Sequence, residues 1–373
     1  MKVYFTAATS FNGELHETYE KIGLLLKQHR LILISGNQII DKAILAKDKS
    51  LSSQQIFERE HKLIEESDLL IVEGSRPSLG VGTEITYALS IGKPVLILVS
   101  TKYEDKISPL VKGDPSENLF LRYYNDDNIK YKISDFISYV QASKKRKGKL
   151  IVIDGGDGSG KTTQAHLLVE HLKKKNILVK YVDFPQYYHS FHGKTIAKFL
   201  RGEFGSIDEV SPYLASLAYA LDRATVKREM DDFLTKGGYI IANRYATSNM
   251  AHQGAKLKDE YEQKEFLKWI YELEYKVHKI PKENMVVYLY VPWKVGIGLS
   301  VSRIKQEYLK DKSDIAEKDI NHRIEAEKMY LELAKKYKHW VKVDCVENEK
   351  LLSKEEIFRK VLKIVEPLLS EKK

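Results

Sequence analysis

Short apolar runs alternate with amphipathic stretches along almost the whole chain. In residues 1 to about 140 this pattern predicts strands at Val3–Ala7, Leu31–Ser35, Leu69–Glu73 and Val95–Val99, and helices at Glu17–His29, Ser53–Glu66 and Gly82–Ile91. The rhythm restarts at Lys149, with strands at Leu150–Asp154, Val179–Phe184, Tyr239–Asn243 and Met285–Val291, and a short one at Val341–Asp344. Alternation at this spacing argues parallel sheets with helices packed on their faces. Between the halves, Gln141–Lys149 is polar and basic without apolar periodicity, which reads as a linker. No repeat relates the halves. The expectation is two different α/β domains in tandem, 1–140 and 149–373, joined by 141–148.

Composition changes this picture little. The chain has 373 residues, 43% of them apolar, and one cysteine, Cys345, so internal disulfides and multi-cysteine metal sites are excluded. A reducing, cytoplasmic setting is the expectation. The N-terminus reads as a first strand rather than a leader, and no apolar run approaches a membrane span. The net charge of +9 points to anionic partners. The run Lys144–Lys147 reads as a solvated charge cluster rather than a nucleic-acid patch.

The chemistry concentrates first at Gly155–Thr163, GGDGSGKTT, between an apolar strand and a helical pattern. That string in that context predicts a phosphate-binding loop. Backbone amides of Gly155, Gly156, Asp157, Gly158, Ser159 and Gly160 would cradle an anion at a helix N-terminus, as in ATP binding. Lys161 would reach the outer phosphates. Thr162, with Thr163 beside it, would face Mg²⁺. Further on stand Asp183-Phe184-Pro185, Tyr219 and Arg223 four apart on one helix face, and Asn243-Arg244-Tyr245 running into ATSNMAHQG. At the C-terminal edge of a parallel sheet these segments converge on one crevice.

On those motifs, Lys149 to Lys373 resembles thymidylate kinase. The resemblance implies a P-loop kinase fold with a lid, transferring phosphate from ATP to dTMP with Mg²⁺. It implies that Phe184 and Tyr219 line the thymine pocket, that Arg223 and Asn249 bond the base edge, and that Arg244 grips the acceptor phosphate. His252 would lie under the sugar, Gln253 belongs to the same segment, and Asp157 would approach the 3′-hydroxyl or the metal shell. Lid cations would come from Arg303, Lys305, Lys310, Lys312 and Arg323. Two departures stand out: Gly158 where some members carry arginine, and Asn243 where the family has aspartate. The second leaves metal handling to Asp157 or Asp183.

Residues 1 to about 140 carry V-Y-F, ERE-H-x-L-I-E-E-S-D-L-L, P-S-L-G-V-G-x-E and G-K-P-V-L. They resemble the 2′-deoxynucleoside 5′-phosphate N-hydrolases of the nucleoside 2-deoxyribosyltransferase superfamily. The resemblance implies a Rossmann-like sheet and Glu84 as nucleophile at C1′. Glu60 stands where the family usually has aspartate, Asp68 is a second acid, and Tyr4 positions Glu84 or the sugar. It implies that Ser78, Gly80 and Gly82 hold the 5′-phosphate, joined by Ser108 across a homodimer interface. Deoxyribosyl transfer between bases, or nucleotide sensing without cleavage, stay open as alternatives for this half.

Overall fold

The computed structural model describes residues 1–9, 14–40, 50–296, 309 and 314–370. The chain divides into two compact units, Met1–Ala142 and Ser143–Lys373.

The first unit is a five-stranded sheet, β1 Lys2–Ala7, β2 Ile32–Ser35, β3 Leu69–Glu73, β4 Val95–Ser100 and β5 Leu119–Tyr124, in the order β2-β1-β3-β4-β5. Every neighbouring pair is parallel. Helices α1 His16–Gln28, α2 Ser53–Glu66, α3 Leu79–Ser90 and α4 Ile129–Lys145 cover it. The two-residue period of β1 sorts its side chains between faces. Val3, Phe5 and Ala7 pack with Tyr19, Ile22 and Leu26 of α1 and Ile133 and Phe136 of α4. Tyr4 turns to the opposite face, with Ile64 of α2 and Val81 and Ala88 of α3. That alternation aims one tyrosine at the two helices that carry Glu60 and Glu84. A full capping box between Ser52 and Gln55 fixes where α2 starts.

Four sequence expectations need correction here. Strand β5 was absent from the predicted set. Helix α4 runs through Lys145, so Gln141–Lys145 is helical rather than linker. The basic run is not simply solvated either, because Arg146 bonds Asp231 through Nε at 2.8 Å. Helix α3 begins at Leu79, not Gly82, because Ser78 caps it by accepting from the Val81 amide.

The second unit orders its strands β10-β9-β6-β8-β7, all parallel. These are β6 Lys149–Gly155, β7 Val179–Asp183, β8 Tyr239–Asn243, β9 Met285–Tyr290 and β10 Trp340–Asp344. The helices that matter are α5 Lys161–Lys174, α6 Phe191–Leu200, α7 Pro212–Thr225, α8 Lys227–Thr235, α9 Ala246–Gly254, α10 Glu260–Tyr271, α11 Ile320–Lys336 and α12 Lys354–Ser370. A π-helical turn, Glu272–Val277, extends α10. Strand β6 again alternates. Leu150 and Val152 join the core with Met250, Phe266 and Tyr330, while Ile151 and Ile153 face Leu168, Leu172 and Val361. Chain direction across the sheet reverses beside β6, which places the loop after it at the switch point where α/β sheets bind ligands.

Candidate functional sites

The phosphate loop leaves β6 and ends on the first turn of α5, with Gly160 capping the helix at φ 84°. Gly155 has φ 149°, and a Cβ there would come within 2.5 Å of the Leu289 carbonyl. A side chain is therefore excluded twice over. Above Gly156 and Gly160 an added Cβ would meet nothing within 4 Å, so the cradle is open. Lys161 Nζ donates to the Gly155 and Gly156 carbonyls at 3.0 and 2.7 Å, folded over the loop. The Ser159 hydroxyl is buried with no hydrogen-bond partner among the described residues.

Beside the loop, Arg244 Nη2 donates to Asp157 Oδ1, and Nη1 lies 3.2 Å from His252 Nε2. Lys161 stands 3.9 Å from the same Asp157 oxygen. Burial would raise the Asp157 carboxyl, but Arg244 and Lys161 overturn that and hold it far below the usual range. Arg244 adopts φ 61°, the left-handed region that side chains avoid. Its backbone is pinned there by N–H donation to the Ile153 carbonyl at 3.1 Å. Asn243 Nδ2 donates to Asp183 Oδ1 at 2.9 Å and to Thr162 Oγ1 at 3.1 Å, while its Oδ1 is buried and unpartnered among the described residues. Burial raises the Asp183 carboxyl above its ordinary range.

A cavity of about 350 Å³ opens from this cluster. Phe184, Tyr219, Asn249 and Gln253 line it, with Asp157, Lys161, Thr162, Arg244 and His252 at its polar end. The Gln253 Oε1 is buried without a partner among the described residues. Asn249 is braced by Ser216, donating to its carbonyl at 3.3 Å. Most residues of the sequence-derived acceptor pocket are thus brought together.

Arg223 is the exception in kind. It lines the cavity, yet it is only 2% exposed. Its Nε and Nη2 are spent on Glu274, which the π-helical turn delivers. Only Nη1 is left for a base edge, and that atom lies 3.4 Å from the Tyr245 carbonyl. Sequence reasoning also missed Asp222, which accepts from the Gln186 amide and the Ser190 hydroxyl and so holds the segment after Phe184. It missed Asp154, which gathers Thr247, Ser248 and Tyr330. Tyr187, Ile207, Asp314 and His322 are among the other lining residues. Arg303, Lys305, Lys310 and Lys312 lie outside the described residues. Arg323 is described, on the first turn of α11, close enough to Asp157 to lower its carboxyl further.

In the first unit, Tyr4 Oη stands 2.7 Å from Glu60 Oε2 and 2.8 Å from Glu84 Oε1. The two bonded carboxyl oxygens can therefore lie no more than about 5.5 Å apart, close enough for the pairing that retaining glycosidases use. Glu60 is committed: Arg59 donates to its Oε1 from Nε and Nη2 at 2.9 and 2.6 Å. Glu84 Oε2 is buried with no partner among the described residues. Burial first, and the Glu60 charge second, push the Glu84 carboxyl above its ordinary range, against hydrogen bonds from Thr6 and Tyr4. A phenol has one proton to give. At any moment Tyr4 can therefore donate to only one of the two carboxyls it touches.

Other predicted residues of this unit sit elsewhere. Asp68 accepts from the Lys2 amide at 2.7 Å and ties the start of β3 to the start of β1, which is a fastening role outside the Tyr4 cluster. Gly80 and Gly82 lie inside the first turn of α3 instead of a loop, and the Gly82 amide is already spent on the Ser78 carbonyl. The Val81 amide is taken by the Ser78 hydroxyl, so among the described residues only the Leu79 and Gly80 amides of that turn stay available to an anion. Ser108 is exposed and caps the short helix Pro109–Lys112.

Comparison with known proteins agrees with this division. The thymidylate kinase family matches residues 153–357, and the nucleoside 2-deoxyribosyltransferase family matches residues 3–128. A thymidylate kinase of Plasmodium falciparum is 30% identical over 227 residues, covering 60% of this chain and 94% of its own. A Thermofilum pendens protein, provisionally named 2′-deoxynucleoside 5′-phosphate N-hydrolase 1, is 33% identical over 126 residues, covering 34% of this chain and 87% of its own. The solved thymidylate kinase of Candida albicans is 23% identical, covering 60% of this chain and 92% of its own, at a TM-score of 0.45. With the loop, the acceptor cavity and the Tyr4 acid pair in place, the chain belongs to the thymidylate kinase family and carries ahead of its kinase unit a unit of the nucleoside 2-deoxyribosyltransferase family.

Proposed function

We propose that the chain is a bifunctional enzyme of deoxynucleotide metabolism. The second unit phosphorylates dTMP to dTDP from ATP. The first cleaves the N-glycosidic bond of a deoxynucleoside 5′-monophosphate. The observation that carries the kinase reading is the Asp157–Arg244–Lys161 cluster standing between an open phosphate cradle and an aromatic-lined cavity.

In the kinase unit Tyr219 stacks on the base. Arg244 presents a planar fork to the acceptor phosphate, and its salt bridge keeps Asp157 ionised beside the acceptor. Lys161 leaves the loop carbonyls for the ATP phosphates. The residues present fit Mg²⁺. The unpartnered Asn243 Oδ1 and the Thr162 hydroxyl flank Asp183, and Asp157 lies nearby. Magnesium binds NTP sites through one or two carboxylates plus substrate phosphates. Thr162 and Asp157, with Asp183 behind Asn243, would hold it, and it would neutralise charge on the phosphates.

In the first unit Glu84 forms a bond to C1′ as the C1′–N bond breaks, and water then hydrolyses the ester. Glu84 attacks as the carboxylate, and Tyr4 holds it in place through its hydroxyl. Tyr4 holding both acids at under 3 Å supports this reading. A second copy of the chain would bring Ser108 to the phosphate. Labelled dTMP incubated with and without ATP tests both halves. The expected products are dTDP with ATP, and free base plus deoxyribose 5-phosphate from the preferred monophosphate. A chain that yields neither refutes the reading.

A further inference from the structure

His252 is locked between two groups of fixed character. Arg244 can only donate, so the His252 Nε2 that faces its Nη1 at 3.2 Å must accept. The neutral ring then carries its proton on Nδ1, which lies 3.5 Å from His322 Nε2. This is a long hydrogen bond, of the kind that tightens when a catalytic site closes. The rings run nearly parallel, with centroids 5.7 Å apart and 29° between planes. Tyr330 packs edge-on against the far side of His252 at 5.6 Å and 88°, and its hydroxyl is spent on Asp154. His322 is itself placed by helix capping: Asp319 accepts from its amide at 2.9 Å at the start of α11. It is buried and lines the acceptor cavity.

We propose that His322 is a positioning residue for phosphoryl transfer: its Nε2 accepts from His252 Nδ1–H, holds that ring in place, and so keeps Arg244 directed at the acceptor phosphate. Without that acceptor, the His252 ring is no longer held from its Nδ1 side and turns away from Arg244. Arg244 then keeps only its Asp157 contact. Burial disfavours the imidazolium at both rings, with Arg244 reinforcing the effect at His252, so both stay neutral and the relay holds. The role rests on the kinase reading above, but the arrangement also places the first turn of α11, directly after the charged segment, in contact with the acceptor site.

The test uses the full chain with ¹⁵N-labelled histidine. In the wild type, the His252 ring nitrogens should report the Nδ1–H tautomer. His322→Phe keeps a ring without an acceptor; His252 stays Nδ1–H, and that proton should lose its hydrogen-bonded shift and exchange faster with water. KM for dTMP should rise about 3- to 10-fold, the worth of one hydrogen bond on a positioned group, while kcat moves less. His322→Gln restores an acceptor oxygen and should recover both the Nδ1–H signal and KM to within about twofold. A wild-type His252 found as Nε2–H overturns the proposal without any variant. So does a His322→Phe protein whose Nδ1–H signal is unchanged, or equal damage from Phe and Gln. Because the NMR signature needs no turnover, loss of the kinase reading and loss of this proposal give different results.

Discussion

Glu274→Gln removes a fully buried charge that pairs with Arg223 behind the wall of the cavity. Glu274 is 0% exposed and Arg223 2%. Burial alone would lower the Arg223 guanidinium, and it is Glu274 that reverses the sign and raises it. The substitution keeps the shape and removes the charge that makes burial tolerable. Removing one partner of such a pair costs about 3–5 kcal/mol, because the survivor is left uncompensated. For a unit of this size each kcal/mol shifts melting by roughly 2–4 °C. The second unit should therefore melt about 6–20 °C lower in scanning calorimetry. Arg223→Met combined with Glu274→Leu removes both charges and should return to within about 1–2 kcal/mol of wild type. The same double variant should bind dTMP more weakly if the remaining Nη1 of Arg223 reaches the base. A Glu274→Gln protein that melts within about 2 °C of wild type refutes this coupling, as do two single costs that simply add.

Four other outcomes follow from the sites. Lys161→Ala should lower ATP-dependent dTDP formation by about 10²–10³-fold while base release by the first unit persists, measured on the same preparation. Glu84→Gln should abolish base release and leave dTDP formation intact; equal activity would remove Glu84 as nucleophile. The rate of base release should rise with pH through the raised Glu84 pKa, since the ionised form attacks. Glu60→Gln should move that limb to lower pH because it removes the charge that raises Glu84, and a pH–rate profile of kcat/KM decides. Asn243→Asp places a second carboxylate against Asp183, so the metal-free protein should melt lower than wild type and regain more on adding Mg²⁺; an unchanged Mg²⁺ response in melting would exclude this corner as the metal site.

The strands at the centres of both sheets were legible because they are buried on both faces and read as unbroken apolar runs, as at Leu69–Glu73 and Tyr239–Asn243. Strand β5 was not, because it lies at the sheet edge, where Leu121, Arg122 and Tyr123 are only partly covered and the pattern blurs. Helix α4 was missed as a whole, and its end read as linker because its last buried residue is Val140 and the turn beyond it has a polar face. Loop chemistry was legible because glycines, a lysine and a threonine at fixed spacing leave few other uses for the backbone. Tyr4 and Glu84 were named as partners, but the sharing of one phenol between two acids was not visible, since Glu60 lies 56 residues from Tyr4. Glu274 left no local mark at all. Its meaning comes from an arginine 51 positions away.

The backbone of Arg244 exacts a standing cost. A residue with a Cβ held at φ 61° is about 1–2 kcal/mol less comfortable than glycine would be. Substitutions that harden this protein against heat will therefore tend to accumulate where the guanidinium is not needed. A variant selected for robustness alone would drift toward a chain that folds better and works worse.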